Sequence, residues 1–507
     1  MIGILLKDAS YEQDIRELLM AFYPGETFAH ERTEEAALYV EGEFEPEGRE
    51  AGPEGRTEDQ TEDQTEGSRG EDGGFFSLRL LENGETLAKK RFPVQYGKRL
   101  ETKTAIKREL YEMLSAHTGK RLPWGTLTGI RPTKIVLSRL ETGEPEESIR
   151  SFMADTYLTS RQKIDLCVET AKRERSLLEK LDYEKGYSLY VGIPFCPTTC
   201  LYCSFTSYPI SAWEKKIPLY LDALFQELTY TAKRMKGRVL DTIYFGGGTP
   251  TSLKAEELDA ILSKIEELFD LSAVQEITVE AGRPDSITEE KLKTLRRHGI
   301  TRISINPQTM KQATLELIGR RHTVQMVKEQ FHMARELGFD NINMDLIIGL
   351  PEEDLADVRD TLDQVEELAP ESLTVHSLAI KRAARLNMFR ERYAGLKIQN
   401  TQEMIDLTAS RARAMGLHPY YLYRQKNMAG NFENVGYAAP GKECLYNVLI
   451  MEEKQTILAC GAGTTTKVVF PSENRLERVE NVKDVGQYIE RIGEMLERKE
   501  KMLEKLE

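Results

Sequence analysis

The stretch Leu189-Tyr-Val-Gly-Ile193-Pro-Phe-Cys196-Pro-Thr-Thr-Cys200-Leu-Tyr-Cys203 decides the fold of this 507-residue chain. It begins with a strand-like apolar run and ends in three closely spaced cysteines. Strand-like runs then alternate with helical segments, and this alternation predicts six β/α units. The predicted strands are Leu189–Ile193, Thr242–Phe245, Glu276–Val279, Arg302–Ile305, Asn341–Ile348 and Leu373–Leu378. The fold class is therefore α/β, a parallel barrel or a doubly wound sheet, with its chemistry at the carboxyl ends of the strands.

The regions on either side of this repeat have a different character. Residues 1–184 predict an α+β and helical module, with strands at Met1–Leu6, Ala36–Val40 and Phe75–Leu81. Residues 185–395 are the predicted barrel domain, and residues 396–507 are a C-terminal α+β extension that we expect to cover the substrate. Within the extension, the apolar run Val448–Met451 is interpreted as a strand.

An acidic stretch interrupts the N-terminal module. Glu41–Asp72 carries thirteen acidic residues against three arginines, and it contains a short tandem repeat, Thr57-Glu-Asp-Gln60 followed by Thr61-Glu-Asp-Gln64. Its apolar side chains are too few to offset the entropy lost on ordering. We predict a disordered insertion at 41–74, and an acidic interaction tail is the alternative.

Composition excludes several classes of protein. The net charge of −14 argues against a general nucleic-acid binder, which needs a basic face. No apolar run approaches the roughly 20 residues of a membrane span. The opening apolar run, Met1–Leu6, is too short for a signal peptide and is followed at once by charged residues. We therefore expect a cytoplasmic protein with no nucleic-acid partner and no membrane span.

The three clustered cysteines, Cys196, Cys200 and Cys203, are the candidate catalytic and metal-binding residues. Six cysteines in 507 residues do not make a disulfide scaffold, and the other three are isolated. Three thiolates on one loop can reach three corners of an iron–sulfur cubane, which normally takes four cysteines, so one iron would stay open. Zinc is the rival metal, although zinc sites usually add a second cysteine pair or a histidine, and neither is near in the sequence.

Other polar groups follow the later strands. The segment Phe245-Gly-Gly-Gly-Thr-Pro250 ends the second strand, where glycines allow a ligand to approach the backbone. Four further polar residues follow the later strands: Glu280, Gln308, Arg320 and Asp345. Each one alone would usually be a helix cap or part of an ion pair, but a bound ligand explains better why all four occur on one barrel. His376 is a candidate ligand or donor, and Lys381, Arg382 and Arg385 are candidate cations after the sixth strand. The alternative for His376 is a core histidine, and the alternative for the three cations is a solvated basic face.

Here the sequence resembles the radical S-adenosylmethionine (SAM) enzymes, whose hallmark is C-x3-C-x-aromatic-C in this place. Tyr202 supplies the aromatic residue, and the resemblance extends from about Tyr190 to about Leu378. It implies a partial (β/α)6 barrel with one [4Fe–4S] cluster on the three cysteines and SAM on the open iron. In that family one electron from the cluster cleaves SAM to methionine and a 5′-deoxyadenosyl radical. A one-electron donor such as flavodoxin or ferredoxin is therefore an implied partner.

The chain is similar, more closely, to the oxygen-independent coproporphyrinogen III oxidase group. The match implies a set of SAM contacts: Tyr190, Tyr202, Gly247, Gly248, Thr249, Glu280, Gln308, Arg320 and Asp345. Within the group, Val279-Glu-Ala-Gly-Arg-Pro-Asp-Ser-Ile287 and the long N-terminal module resemble the HemZ, or coproporphyrinogen dehydrogenase, branch. The implied reaction of porphyrin biosynthesis converts two propionates of a porphyrinogen substrate, coproporphyrinogen III, to vinyl groups with release of carbon dioxide.

One position departs from the pattern of the oxidases. They carry a further cysteine two positions after the third cluster ligand, and Phe205 stands there in this chain. A haem-chaperone branch of the same group shares the Cys-x-Phe ending. A haem-binding or haem-delivery protein on the same scaffold, and a radical SAM enzyme with a non-porphyrin substrate, are therefore the alternatives.

Overall fold

A computed structural model of the chain describes residues 1–46, 73–129, 131–381, 384–393, 395–425, 432–473 and 475–506. Two compact units divide the chain. One comprises Met1–Gly129 and Gly143–Leu166, and the other comprises Ile130–Thr142 and Cys167–Glu507. The predicted boundary at 184/185 therefore moves toward the N-terminus, because a helical segment before it already belongs to the barrel unit.

In its described part, the N-terminal unit is a sheet of five strands with helices. In spatial order the strands are Phe28–Ala29, Ile2–Leu6, Leu38–Pro46, Gly73–Glu82 and Glu85–Gln95. Its helices are Glu12–Phe22, Arg99–Thr118 and Glu146–Tyr157, and a further helix, Arg161–Leu178, crosses into the second unit. Apolar side chains of the first two helices, such as Leu18 and Leu110, share a core with Val40 and Leu78 of the sheet. The predicted α+β character is confirmed, and the strand Glu85–Gln95 was not predicted.

The predicted insertion needs correction at its ends. Glu41–Pro46 continues the third strand and Gly73–Gly74 begins the fourth, and the two strands pair antiparallel with Pro46 opposite Gly74. The remainder of the predicted insertion, 47–72, lies outside the described residues.

Among the described residues, the barrel unit is built on a sheet of eleven strands. In spatial order its strands are His418–Tyr423, Asn434–Ala438, Ser372–Ser377, Ile342–Ile348, Arg302–Ser304, Glu276–Glu280, Val239–Gly247, Gly186–Ile193, Thr456–Cys460, Thr465–Phe470 and Arg475–Glu480. The six central strands are the predicted ones, and they run parallel to one another in chain order. This confirms the partial (β/α)6 barrel.

The helices of this unit alternate with the barrel strands and then continue through the C-terminal region. They are Thr133–Glu141, Ile217–Arg234, Ala255–Leu268, Glu289–Arg297, Gln312–Leu317, Val324–Glu336, Leu355–Leu368, Arg385–Met388, Arg390–Tyr393, Gln402–Ala414, Leu445–Glu452, Val485–Glu490 and Ile492–Leu503. In the part of the chain that the structure describes, no helix combines the length and apolar character needed to cross a bilayer.

Two predictions for the C-terminal region need correction. Val448–Met451 lies in the helix Leu445–Glu452, with Tyr446, Leu449 and Glu452 on its buried side, and is not a strand. Residues 396–507 also do not form a separate domain, because their strands extend the barrel sheet at both edges. The strand Asn434–Ala438 pairs antiparallel with the sixth barrel strand, and Thr456–Cys460 pairs parallel with the first.

Candidate functional site

The cysteine loop begins where the first barrel strand ends. Phe195–Cys196 forms a short parallel pair with Tyr208–Pro209, which closes the loop at its base. The Leu201 amide donates to the Ile318 carbonyl at 2.9 Å, so the middle of the loop is fixed to another segment of the barrel. The three thiols line one cavity of about 350 Å³ at the carboxyl ends of the strands. Sequence position and fold thus bring the three predicted ligands together.

Burial disfavours the thiolate forms of Cys196 and Cys203 in the absence of a metal. It raises the pKa of Cys196 above its ordinary value and the pKa of Cys203 to about 11, and the hydrogen bond between the Cys196 sulfur and the Thr249 hydroxyl, at 3.4 Å, only partly opposes this. Because a metal binds the thiolate form, loading the site releases protons.

The glycine-rich segment packs directly on the start of the cysteine loop. The amide of Gly248 donates to the Ile193 carbonyl at 2.8 Å, and that of Thr249 donates to the Phe195 carbonyl at 2.7 Å. A Cβ at Gly248 would lie 2.5 Å from the Phe195 carbonyl oxygen, and Gly247 has a φ of +106°. Only glycine fits these two positions, and both residues line the cavity.

The buried Arg320 also lines the cavity. One Nη of Arg320 donates to the Asn306 carbonyl at 2.5 Å, and the other donates to the Tyr202 hydroxyl at 3.2 Å. Within the described residues, the buried Arg320 Nε has no hydrogen-bond partner. The same is true of Gln308 Oε1, whose residue is held in the left-handed region at a φ of +69°. Two buried polar atoms without partners on one cavity wall are what a bound polar ligand would satisfy.

Two carboxylates complete the cavity, and their surroundings differ. Burial raises the pKa of Glu280 to about 7, against the hydrogen bond that the Tyr244 hydroxyl donates to Glu280 Oε1 at 2.6 Å. Burial also opposes ionisation of Asp345, but His376 and Asn343 outweigh it and lower the pKa of that carboxyl. The Asn343 amide donates to Asp345 Oδ1 at 2.7 Å. The surroundings therefore favour the ionised form of Asp345 and the protonated form of Glu280.

Eleven of the twelve predicted site residues line this cavity, and Tyr190 does not. The eleven are Cys196, Cys200, Tyr202, Cys203, Gly247, Gly248, Thr249, Glu280, Gln308, Arg320 and Asp345. The Tyr190 ring stacks on the Tyr244 ring with centroids 6.1 Å apart, and Tyr244 is the tyrosine on the cavity wall. Tyr190 therefore supports the wall from behind.

The candidate histidine and the candidate cations lie at different places in the structure. His376 lines the cavity, and its Nδ1 is 3.3 Å from the Tyr423 hydroxyl. Lys381 also lines it, with its ammonium 5.7 Å from the centre of the Phe205 ring. Arg385 instead lines a neighbouring surface groove with Arg320 and Arg321, and Arg382 lies outside the described residues.

Several wall residues were not predicted from the sequence. Tyr244, Arg283, Arg302, Asn306 and Asn343 all line the cavity. Arg302 is 2% exposed and opens the fourth barrel strand, where its Nη2 donates to the Ser372 hydroxyl at 3.0 Å. Alternation along the strands was the available signal for Tyr244 and Asn343, because barrel strands point every second residue inward.

The site fits an iron–sulfur cluster beside a zwitterionic, hydroxylated ligand. Cys196, Cys200 and Cys203 would hold the cluster. The glycine-rich segment and the Arg320 wall offer polar groups that would take an amino-acid moiety, and the carboxylates of Glu280 and Asp345 would accept from amino or hydroxyl groups. A partial α/β barrel with this loop at the end of its first strand defines the radical SAM class.

The comparisons with known proteins agree with that class. The radical SAM superfamily matches residues 190–365. The chain is 43% identical over 395 residues to the oxygen-independent coproporphyrinogen-III oxidase-like protein HemZ of Bacillus subtilis, a match covering 77% of this chain and 79% of the relative. It is 33% identical over 301 residues to the heme chaperone HemW of the same organism, covering 58% and 76%.

A solved structure shares the fold. Coproporphyrinogen III oxidase (HemN) from Escherichia coli, a radical SAM enzyme, superposes with a TM-score of 0.50 at 24% identity, covering 64% of this chain and 73% of that one. The chain belongs to the oxygen-independent coproporphyrinogen III oxidase group of the radical SAM superfamily, in its HemZ-like branch. The cofactors of the family are a [4Fe–4S] cluster and SAM.

Proposed function

We propose that the chain catalyses the oxygen-independent oxidative decarboxylation of coproporphyrinogen III to protoporphyrinogen IX. The observation that carries the proposal is the meeting of the cysteine loop, the glycine-rich segment and two buried carboxylates in one cavity. The chain has this site along with extended similarity to a protein named as oxidase-like. When bound, the cluster and SAM supply the one-electron chemistry that removes a hydrogen atom from the substrate.

The side chains of this site have separable tasks in the proposed reaction. Cys196, Cys200 and Cys203 hold the cluster. The Arg320 guanidinium and the ionised Asp345 orient the charged ends of SAM, and Glu280 accepts from it once deprotonated. The aromatic wall around Tyr244 keeps water from the reacting atoms.

The proposed reaction consists of two oxidative decarboxylations of the substrate. Each of two propionate side chains loses a hydrogen atom from its β-carbon, one electron and its carboxylate carbon as carbon dioxide, and a vinyl group is left. An electron acceptor takes the electron, and a one-electron donor such as flavodoxin or ferredoxin reduces the cluster. The substrate carries four carboxylates, and Lys381 on the cavity wall is a cation placed to bind one of them.

The test is a product analysis under anaerobic conditions. Reduced protein with SAM and coproporphyrinogen III should release two carbon dioxide molecules for each protoporphyrinogen IX formed. The matched control is Cys200→Ala, which should release none. SAM cleavage without carbon dioxide from this substrate would contradict the proposal and favour a non-porphyrin substrate.

Haem binding or delivery is the second candidate function, and one position favours it. Phe205 occupies the place of the additional cysteine of the oxidases, and its side chain is 71% exposed. A similar relative is named as a heme chaperone. Stoichiometric haem binding by the wild-type protein, abolished in Phe205→Ser and unaccompanied by carbon dioxide release, would support this candidate against the first.

A further inference from the structure

The segment Gly282-Arg283-Pro284-Asp285 follows directly after the third barrel strand and its carboxylate, Glu280. It belongs to the stretch that distinguishes the HemZ-like branch in the sequence, and the proposed reaction leaves it without a role. Arg283 is 2% exposed and lines the cavity beside the cysteine loop. A buried arginine is costly unless all its donors are engaged, so its contacts indicate what it does.

Every nitrogen of the Arg283 guanidinium has an acceptor. The Nε and one Nη form a fork on the Asp285 carboxylate, at 2.9 Å and 2.6 Å. The other Nη points toward the cysteine loop. It donates to the Thr198 carbonyl at 2.9 Å and to the Thr198 hydroxyl at 2.7 Å, and it lies 3.8 Å from the Cys200 sulfur. One planar group therefore joins Asp285 to the loop between the first two cysteines.

The carboxylate end of this arrangement is itself fixed. Asp285 lies in the short helical turn Pro284–Ser286, and His322, which is fully buried, places its Nδ1 3.8 Å from Asp285 Oδ1. The Thr198 hydroxyl in turn donates to the Gly319 carbonyl at 2.9 Å. The guanidinium is thus held in one orientation, with its positive edge toward sulfur and its other edge neutralised by Asp285.

We propose that Arg283, held by Asp285, is a positioning residue for the iron–sulfur cluster: it fixes the loop between Cys196 and Cys200 and favours the reduced cluster through its charge at the Cys200 sulfur. Reduction adds one negative charge to the cluster. A buried cation a few ångströms from a ligand sulfur interacts with that charge with little screening by water or salt. The inference needs only the cluster that the family uses and does not depend on the substrate proposed above.

The test compares three variants of the reconstituted full-length protein by dye-mediated redox titration of the cluster followed by electron paramagnetic resonance, with iron and sulfide analysis. Arg283→Gln removes the charge but keeps a hydrogen-bond donor, and it should make one-electron reduction at least tenfold less favourable, which is a fall of about 59 mV in midpoint potential. Arg283→Lys keeps the charge and should change reduction by less than threefold. Arg321→Gln is the control, because it removes an exposed arginine from a surface groove near Thr198 and should leave the potential unchanged.

Two results would overturn the inference. One is an Arg283→Gln protein with full iron content and the wild-type potential. The other, should Arg283→Gln bind no cluster, is an Arg283→Lys protein that binds the cluster but is reduced at least tenfold less favourably than the wild type, because the retained charge would then not be what favours reduction. An Arg283→Lys protein with a cluster at nearly the wild-type potential would support it. A wild-type protein that forms the cluster but releases no carbon dioxide counts against the proposed reaction and leaves the inference about Arg283 unaffected.

Discussion

We predict that the ionised Glu280 carboxylate destabilises the folded protein but strengthens SAM binding. Burial raises its pKa from an ordinary 4.5 to about 7, while the Tyr244 hydroxyl, which donates to it at 2.6 Å, partly opposes the rise. A carboxyl whose pKa is raised on folding contributes its full stability below pH 4.5. That contribution falls as the pH rises and is lost above about 7. The difference between the two pKa values lowers the free energy of unfolding by about 3 kcal/mol at pH 8 and by less than about 1 kcal/mol at pH 5, relative to a carboxyl that stays protonated.

The perturbation is Glu280→Gln, which resembles the protonated carboxyl and still accepts from Tyr244. Denaturant unfolding of the cluster-free protein should show the variant more stable than wild type at pH 8 by at most about 3 kcal/mol, with the gain shrinking toward pH 5. SAM affinity of the loaded protein should fall about tenfold or more, because a charge-assisted hydrogen bond is lost. Wild-type SAM affinity should itself weaken below pH 7 as Glu280 takes up a proton.

Glu353→Gln is the matched control for this reasoning. Burial also raises the pKa of Glu353 to about 7, and the Thr309 hydroxyl donates to it at 2.6 Å. Glu353 does not line the cavity. Its variant should gain stability at pH 8 in the same way and keep wild-type SAM affinity. The reasoning is refuted if Glu280→Gln is no more stable than wild type at pH 8, or if it binds SAM as tightly as the control does.

Four further predictions concern the loop, the scaffold and the acidic segment. Cys200→Ala should abolish the visible absorption of the cluster and SAM cleavage with unchanged circular dichroism, and a variant that retains both would contradict the ligand assignment. Gly248→Ala should cost about 1–3 kcal/mol and disturb the cysteine loop, since its Cβ would meet a backbone carbonyl; unaltered unfolding and iron content would count against this packing. Lys499→Met leaves the buried carboxylate of Glu227 without its cation and should cost about 3–5 kcal/mol in urea unfolding, far more than a surface lysine variant. Replacing 47–72 by a short turn should leave activity unchanged, and a large loss would give that segment a function.

The barrel could be predicted because its signal is local and repeated. Each parallel strand is buried on both faces and reads as a short apolar run, and each helix has its own apolar stripe, so six units reinforce one another. The run Leu445–Glu452 shows where that signal fails. Its apolar residues suit a buried strand or a buried helix equally, and the helix is capped from a distance by the Glu276 carboxylate, which accepts from the Leu445 amide at 2.8 Å. The strand Glu85–Gln95 was missed because, as an edge strand, it is largely exposed and carries charged residues and Pro93.

Part of the site could also be predicted from the sequence, and part could not. The cysteine spacing and the glycine run each lie within a few consecutive residues, so the loop and its glycine-rich neighbour could be identified from the sequence. In the sequence, Arg283 and Arg302 look like ordinary surface charges. The groups that they contact in the fold, Thr198 and Ser372, lie on distant segments, so no local pattern indicates that the two arginines are buried. Tyr190 stays a predicted SAM contact: it does not line the cavity itself, but its ring stacks on Tyr244, which does.

The C-terminal region has a structural task at the site that sequence periodicity does not reveal. An open parallel sheet leaves unpaired backbone groups along its first and last strands, and such edges invite pairing with other chains. Thr456–Cys460 covers the first edge by pairing with Gly186–Ile193, and Asn434–Ala438 covers the other beside Ser372–Ser377. The strand that delivers the cysteine loop is therefore held between Val239–Gly247 and a strand far along the chain. Covering the substrate stays a prediction for this region, but its strands already complete the scaffold on which the cluster ligands stand.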